Sequence, residues 1–150
     1  MRVLIQRVTS ASVKTESQPP RSIQQGYVIL LGVGPDDTEQ TADKLWAKVR
    51  KLRLFDDENG KTNYSLTDVG GSVLLVSQFT LYADCRKGNR PSFIQAAPPA
   101  LAQNLYEYFA TLIRTDAIPL ETGWFGAMMD VKLVNDGPFT IWLDTDTMSR

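Results

Sequence analysis

The feature that most constrains this chain is the run Tyr27-Val28-Ile29-Leu30-Leu31-Gly32-Val33, which has no charged and almost no polar side chain. A strand with one wet face alternates apolar and polar residues, whereas a run apolar throughout needs cover on both faces. The remaining segments supply candidates for that cover. Ala42, Leu45, Trp46, Val49 and Leu52 recur at helical spacing, with Asp37 and Gln40 placed to cap the start. Pro98-Pro99 opens a second helix with Leu101, Leu105, Tyr108, Phe109 and Leu112 on its expected apolar face. Residues 2–14, rich in β-branched types, predict a strand with Gln6 and Arg7 embedded in it. Residues 72–83 predict another. Residues 128–134 and 139–143 predict two more, joined as a hairpin by the tight connection at 135–138. The expected fold is α/β: a single domain, 1–150, of mixed and largely antiparallel sheet with two main helices. The polar tail, Asp144 to Arg150, is expected to fray.

Chemistry is constrained by an absence. The chain has no histidine and one cysteine, Cys85. Every Ser-His-Asp or Cys-His mechanism is therefore excluded, and so are His-containing and all-thiolate zinc sites. Any catalysis must rest on carboxylates, hydroxyls, amides, backbone groups or the substrate's own atoms, with no metal and no cofactor expected. The acidic turn Asp56-Asp57-Glu58-Asn59-Gly60 fails as a calcium loop, because aligning Gly60 with the loop glycine puts Phe55 and Leu66 at ligand positions. No apolar run approaches the ~20 residues of a membrane span. Together with the lone cysteine this sets the expectation of a cytoplasmic protein. The net charge of −1 advertises no general affinity for nucleic acid, but two basic clusters stand out: Lys44, Lys48, Arg50, Lys51 and Arg53, and Arg86, Lys87 and Arg90.

Two segments interrupt the apolar pattern with groups able to do chemistry. Ser77-Gln78-Phe79-Thr80-Leu81 places three hydrogen-bonding side chains at the end of an otherwise apolar strand. Buried without partners, each would cost of the order of 1–3 kcal/mol. Either the strand emerges at a rim, or it forms one wall of a pocket in which Phe79 stacks on a nucleobase and backbone N–H groups face an oxyanion. The second segment, Asn135-Asp136-Gly137-Pro138-Phe139-Thr140, carries a proline where a plain hairpin would need a ladder donor. An X-Pro bond is the common place for a cis peptide, and a cis Gly137–Pro138 bond would aim two carbonyls in nearly the same direction. Two fixed acceptors of that kind suit an ammonium group. A plain tight turn is the alternative.

Taken together, these segments resemble the two signature motifs of the D-aminoacyl-tRNA deacylase family, Ser-Gln-x-Thr-Leu and Asn-x-Gly-Pro-x-Thr. The likeness extends to Ile5-Gln6-Arg7-Val8, Val69-Gly70-Gly71-Ser72-Val73, Arg90-Pro91-Ser92-Phe93 and Phe125-Gly126-Ala127-Met128-Met129. The chain departs from the family's pattern at residues 16–25, where Pro19-Pro20 and Gln24-Gln25 replace a more glycine- and acid-rich hairpin, so loop detail there does not carry over.

The resemblance implies hydrolysis of the ester joining a D-amino acid to the 3′-terminal adenosine of tRNA, a proofreading step in translation. It implies a homodimer with sites at the subunit interface. Ser77, Gln78, Phe79 and Thr80 would line the adenosine and its ester. Gly137 and Pro138, with Asn135 beside them, would clamp the ammonium group, and Arg7 would anchor their turn. Two mechanisms follow: attack by Thr80 to give an acyl-enzyme, or attack by water with backbone N–H groups stabilising the oxyanion. Selection by exclusion of L-residues would leave glycine, which has no side chain to reject, as an accepted substrate.

Overall fold

The computed structural model describes residues 1–148. Its central element is β1 (Arg2–Lys14), paired along both edges. One edge takes β8 (Asp130–Asp144), antiparallel. The other takes β3 (Gly26–Gly32) against the first half of β1 and the short β2 (Arg21–Ile23) against the second, both antiparallel. β6 (Ser72–Ser77) then pairs parallel with β3, and β7 (Leu120–Thr122) parallel with β6. β4 (Arg53–Asp56) and β5 (Thr62–Ser65) form a separate antiparallel hairpin through the predicted Asn59-Gly60 turn. The sheet is therefore mixed, as its sequence pattern predicts.

The helices α1 (Glu39–Val49) and α2 (Pro99–Thr115) cover one face. There Val3, Ile5, Tyr27, Ile29, Leu31, Val73 and Leu75 meet Leu45, Trp46, Phe109 and Ile113 in the larger core. The opposite face holds Val8, Ala11, Val13, Ile23, Val28, Leu74 and Val76 under Trp124 and Met129. The two-sided burial expected of β3 is observed: every residue of it is buried except Leu30, which is partly so.

Side chains in β1 change face partway along. Val3 and Ile5 point to the helices, yet Ala11 and Val13, also odd-numbered, point away with Val8. Strict alternation would forbid this. Register shifts on either side of Val8 restore it, because β8 pairs Asn135 with Val8 but Val134 with Ser10, leaving Thr9 as an extra residue. Each half of the strand thus faces its own core.

Several expectations need correction. β8 is one strand lying along β1 and not a hairpin; residues 136–139 bulge out of it opposite the single residue Arg7, between the pairs Gln6–Thr140 and Val8–Asn135. A hairpin would have paired 128–134 with 139–143, but each half prefers the longer edge of β1. The cap of α1 is Thr38, in a reciprocal box with Thr41, while Asp37 accepts from the Gly34 N–H at 2.6 Å and from the Met1 amino group at 2.7 Å. The buried stripe of α2 is Ala102, Leu105, Tyr106, Phe109, Ala110 and Ile113. It is turned from the expected face, so that Leu101, Tyr108 and Leu112 are only partly buried. The tail does not fray at its start: Asp144 and Thr145 are buried, and Asp144 accepts from the Thr147 and Met148 N–H groups. Ser149 and Arg150 lie outside the described residues.

One glycine sets how closely β3 and β6 approach. A Cβ on Gly26 would lie 1.8 Å from the Ser72 carbonyl oxygen. Gly26→Ala must therefore push the two parallel strands apart, and it is expected to lower unfolding free energy by about 3 kcal/mol or more, measured by urea titration.

Candidate active site

The first polar segment is shaped by the way β6 ends. Ser77 is its last residue, still paired with Leu31. Gln78 donates its N–H to the Leu31 carbonyl at 2.8 Å and then turns out of the sheet, with φ −143° and ψ 80°. Phe79 to Tyr82 form one turn of 3₁₀ helix. The sequence expectation of a strand through residue 83 is therefore wrong. Glycine leaves room for the turn to pack closely: a Cβ on Gly32 would sit 3.1 Å from both the Gln78 oxygen and the Leu81 Cβ.

Within the turn, the Gln78 amide hydrogen-bonds the Thr80 hydroxyl. Phe79 remains 55% exposed, with its ring edge-on to Phe93 at a centroid distance of 5.0 Å. The first intrahelical bond runs from Leu81 N–H to the Gln78 carbonyl, so the Phe79 and Thr80 N–H groups precede it, and no side chain among the described residues caps them. These are donors available to a ligand.

Arg2 braces the turn, a role that sequence reasoning missed. Its Nη1 donates to the Leu81 carbonyl at 3.0 Å and its Nε to Asp144 Oδ2 at 2.8 Å, while the guanidinium lies 4.2 Å from the Tyr82 ring centroid. The available signal was a charged residue opening the strand just before the apolar run Val3-Leu4-Ile5. Burial, reinforced by Asp37, pushes the Tyr82 hydroxyl pKa up, so this ring stays neutral beneath the guanidinium. From α2, Tyr106 donates its hydroxyl to the Leu75 carbonyl at 2.8 Å; burial raises its pKa to about 12, so it remains a donor at neutral pH.

The second segment is the bulge in β8. Its Gly137–Pro138 bond is cis. Asn135 closes it from within, accepting the Phe139 N–H on Oδ1 at 2.7 Å and donating from Nδ2 to the Thr140 hydroxyl at 3.0 Å. That pair of bonds gives a local reason for Asn and Thr at the two ends of the motif. Arg7 holds the bulge from behind: Nε donates to the Asp136 carbonyl at 3.0 Å, Nη1 to the Leu54 carbonyl at 2.6 Å, and the Phe139 ring lies 4.7 Å from the guanidinium. Gly137 and Pro138 themselves are exposed.

The two segments do not meet within one chain. Arg7 is in line with Tyr27 and Val73, whereas Ser77 is in line with Leu31 and Val3. That separates them by four residues along the strands, about 13 Å, and by three strand spacings, about 14 Å, giving roughly 20 Å in all. Among the described residues, no group of three or more Asp, Glu, Cys or His side chains is placed to hold a metal ion.

A mixed sheet with helices on one face, a polar 3₁₀ turn at one strand end and a braced Gly-Pro bulge at the far edge define a class of small α/β proteins, and comparison places this chain within it. A family profile described as D-Tyr-tRNA(Tyr) deacylase matches residues 4–144. The chain is 59% identical to a protein of Thermomicrobium roseum named D-aminoacyl-tRNA deacylase, over 97% of this chain and 94% of that one. It is 57% identical to a protein of the same name from Bacillus pumilus, over 97% and 99%. A solved structure titled c-Myc DNA Unwinding Element Binding Protein superposes with a TM-score of 0.89 at 38% identity, covering 96% of this chain and 98% of that one. The chain belongs to the D-Tyr-tRNA(Tyr) deacylase family.

The bracing bonds carry a measurable consequence. Asn135→Ala removes the acceptor of the Phe139 N–H, so that amide should exchange with solvent at least about tenfold faster, equivalent to about 1.4 kcal/mol of local protection. Global stability should fall by less than for Arg7→Lys, which strips the guanidinium fork from two carbonyls and is expected to cost about 2–3 kcal/mol.

Proposed function

We propose that this protein hydrolyses the ester of D-aminoacyl-tRNA, that its working form is a homodimer, and that Ser77, Gln78, Phe79 and Thr80 of one subunit form the acyl and adenosine site while Gly137 and Pro138 of the other form the ammonium clamp. The observation that carries the site assignment is the separation of the two segments, each braced yet open to solvent, at distant edges of one chain. A second copy is the simplest way to complete such a site. Exposed apolar side chains support the pairing: Trp142 on the outer face of β8, 48% exposed, and Met128, 92% exposed. On this reading the whole chain is one deacylase domain, acting in the cytoplasm where its substrate is made. No helix among the described residues is long and apolar enough to cross a membrane.

The chemistry needs little from the protein. An aminoacyl ester is activated by its own ammonium group, and water can add to the acyl carbon once the developing oxyanion is stabilised. The uncapped Phe79 and Thr80 N–H groups supply that stabilisation. Collapse of the tetrahedral intermediate breaks the bond to the ribose oxygen, which takes up the proton that the attacking water gives off, with the adjacent 2′-hydroxyl as relay. Thr80 is a poor nucleophile here because its hydrogen-bond partner is the Gln78 amide, which is not a base. Asn135 and Arg7 act on the clamp from behind. They hold the bulge so that the Gly137 and Pro138 carbonyls meet the ammonium group, and the substituents at the α-carbon are then sorted by the room left to them. Glycine, lacking a side chain, passes the same test.

Release of amino acid from matched D-tyrosyl-tRNA and L-tyrosyl-tRNA tests this directly. Loss should occur from the D-form only and should survive a chelator. Thr80→Ala should keep the rate within about tenfold of wild type, whereas removal of a true nucleophile would cost about 10⁴-fold or more. Equal loss of both enantiomers would sink the chirality clamp, and a trapped acyl-threonine would sink the water mechanism.

A further inference from the structure

The sequence holds two basic clusters, and the structure separates them by their distance from the 3₁₀ turn. The cluster at the end of α1 is partly spent on internal contacts: Arg50 pairs with Asp116 at 3.1 Å. Arg50 and Lys51 border a cleft with Thr67 and Ile118, next to Pro119, whose carbonyl accepts the Val73 N–H at 2.9 Å. That is the starting end of β6, about 17 Å from Ser77 along the strand.

The other cluster is built onto the finishing end. Asp84 and Ser92 exchange two backbone hydrogen bonds, at 2.8 and 2.9 Å, closing the intervening chain into a narrow loop immediately after the 3₁₀ helix. Phe93 fixes that loop to the turn through its edge-on contact with Phe79. All residues from Cys85 to Pro91 are exposed, and Gly88 turns the tip with φ +64°. The tip carries three cations against one carboxylate. Arg86 is held by Asp84 through two hydrogen bonds of 2.7 and 2.8 Å, and these bonds draw the Asp84 pKa down to about 2, so the pair stays charged at neutral pH. Lys87 and Arg90 have no ion-pair partner among the described residues.

We propose that this tip is the docking point for the single-stranded 3′ end of tRNA, with Lys87 and Arg90 neutralising the phosphates just upstream of the terminal adenosine. This rests on the deacylase reading of the adjacent turn. The placement follows from the chain itself. A ligand base stacked on the exposed Phe79 would sit on the ring to which Phe93 ties this loop. An anionic strand leaving the site meets two unpaired cations on a mount that Asp84 and Ser92 hold shut. A flexible basic tail could attract RNA but could not set its path, whereas a loop bonded to the catalytic turn does both.

The test compares Lys87→Ala/Arg90→Ala with wild type on two substrates, D-tyrosyl-tRNA and D-tyrosyl-adenosine, which lacks upstream phosphates. The expected result is a rise of about fivefold or more in KM for the tRNA, unchanged kcat, and unchanged kinetics with the adenosine ester. The salt dependence of KM should flatten by about 1.4 in log–log slope, for two single-strand phosphate contacts. The control, Lys48→Ala/Lys51→Ala at the other cluster, should leave KM for the tRNA alone. An unchanged KM in the tip variant, or an equal loss on both substrates, overturns the proposal. Should wild type hydrolyse neither substrate, the deacylase reading fails, and titration with an RNA oligonucleotide of the tRNA 3′ sequence still decides the docking point. Binding weakened in the tip variant upholds it, and binding unaltered overturns it.

Discussion

Arg7 is the interaction on which the geometry of the far edge depends. The residue is 7% exposed, and a cation taken so far out of water is tolerated only when its donors are matched. Here they are: the Leu54 and Asp136 carbonyls accept hydrogen bonds, the Asp136 and Asp56 carboxylates lie at 3.4 and 3.6 Å, and Phe139 offers its ring face. The partners come from β4 and from the bulge of β8, so one side chain of β1 ties the two elements together. Tyr27, in line with Arg7 on β3, stacks on Phe55 of β4 at 5.3 Å and has a buried hydroxyl with no hydrogen-bond partner among the described residues. Burial pushes that hydroxyl's pKa up, and the nearby Arg7 only partly opposes it, so the ring remains neutral beside the cation.

Much of the fold was legible because hydrophobic patterning reports burial. The apolar run of β3, the β-branched run of β1 and the stripe of α1 were each readable from spacing alone. What escaped depends on comparing alternatives that lie far apart in sequence. The pattern of residues 128–143 is compatible with a hairpin, and only the availability of the whole outer edge of β1 makes one continuous strand the better solution. The same applies to the change of face in β1. Val8, Ala11 and Val13 look like an error of alternation until the second core, under Trp124 and Met129, gives them somewhere to go.

The site was legible in a different way. Ser77, Gln78, Thr80, Asn135, Gly137 and Pro138 stand out because polar or conformationally special residues interrupt strands, a signal that needs no tertiary knowledge. Their local roles were not legible. Spacing assigned Gln78 and Thr80 to an extended strand, whereas the structure places them at a 3₁₀ turn in which their side chains are hydrogen-bonded. Asn135 was placed beside an ammonium clamp, yet both ends of its amide are engaged by Phe139 and Thr140. Arg2 carried no signal beyond its charge, since its partners Leu81 and Asp144 are set by the register of three strands.

A chain without histidine has few ways to move a proton, and this architecture reduces the need for one. Charge developing on an ester oxygen can be met by backbone N–H groups, which require no particular side chain and do not titrate, provided the turn presenting them is rigid. Rigidity here comes from outside the turn, through Arg2 on the Leu81 carbonyl, Leu31 on the Gln78 N–H and Phe93 on the Phe79 ring. The Gly-Pro bulge follows the same logic, with its backbone exposed and its braces, Arg7 and Asn135, behind it. Side-chain chemistry has thus been moved one layer back from the surface, where it holds the backbone of the turn and of the bulge in place and leaves both open to solvent.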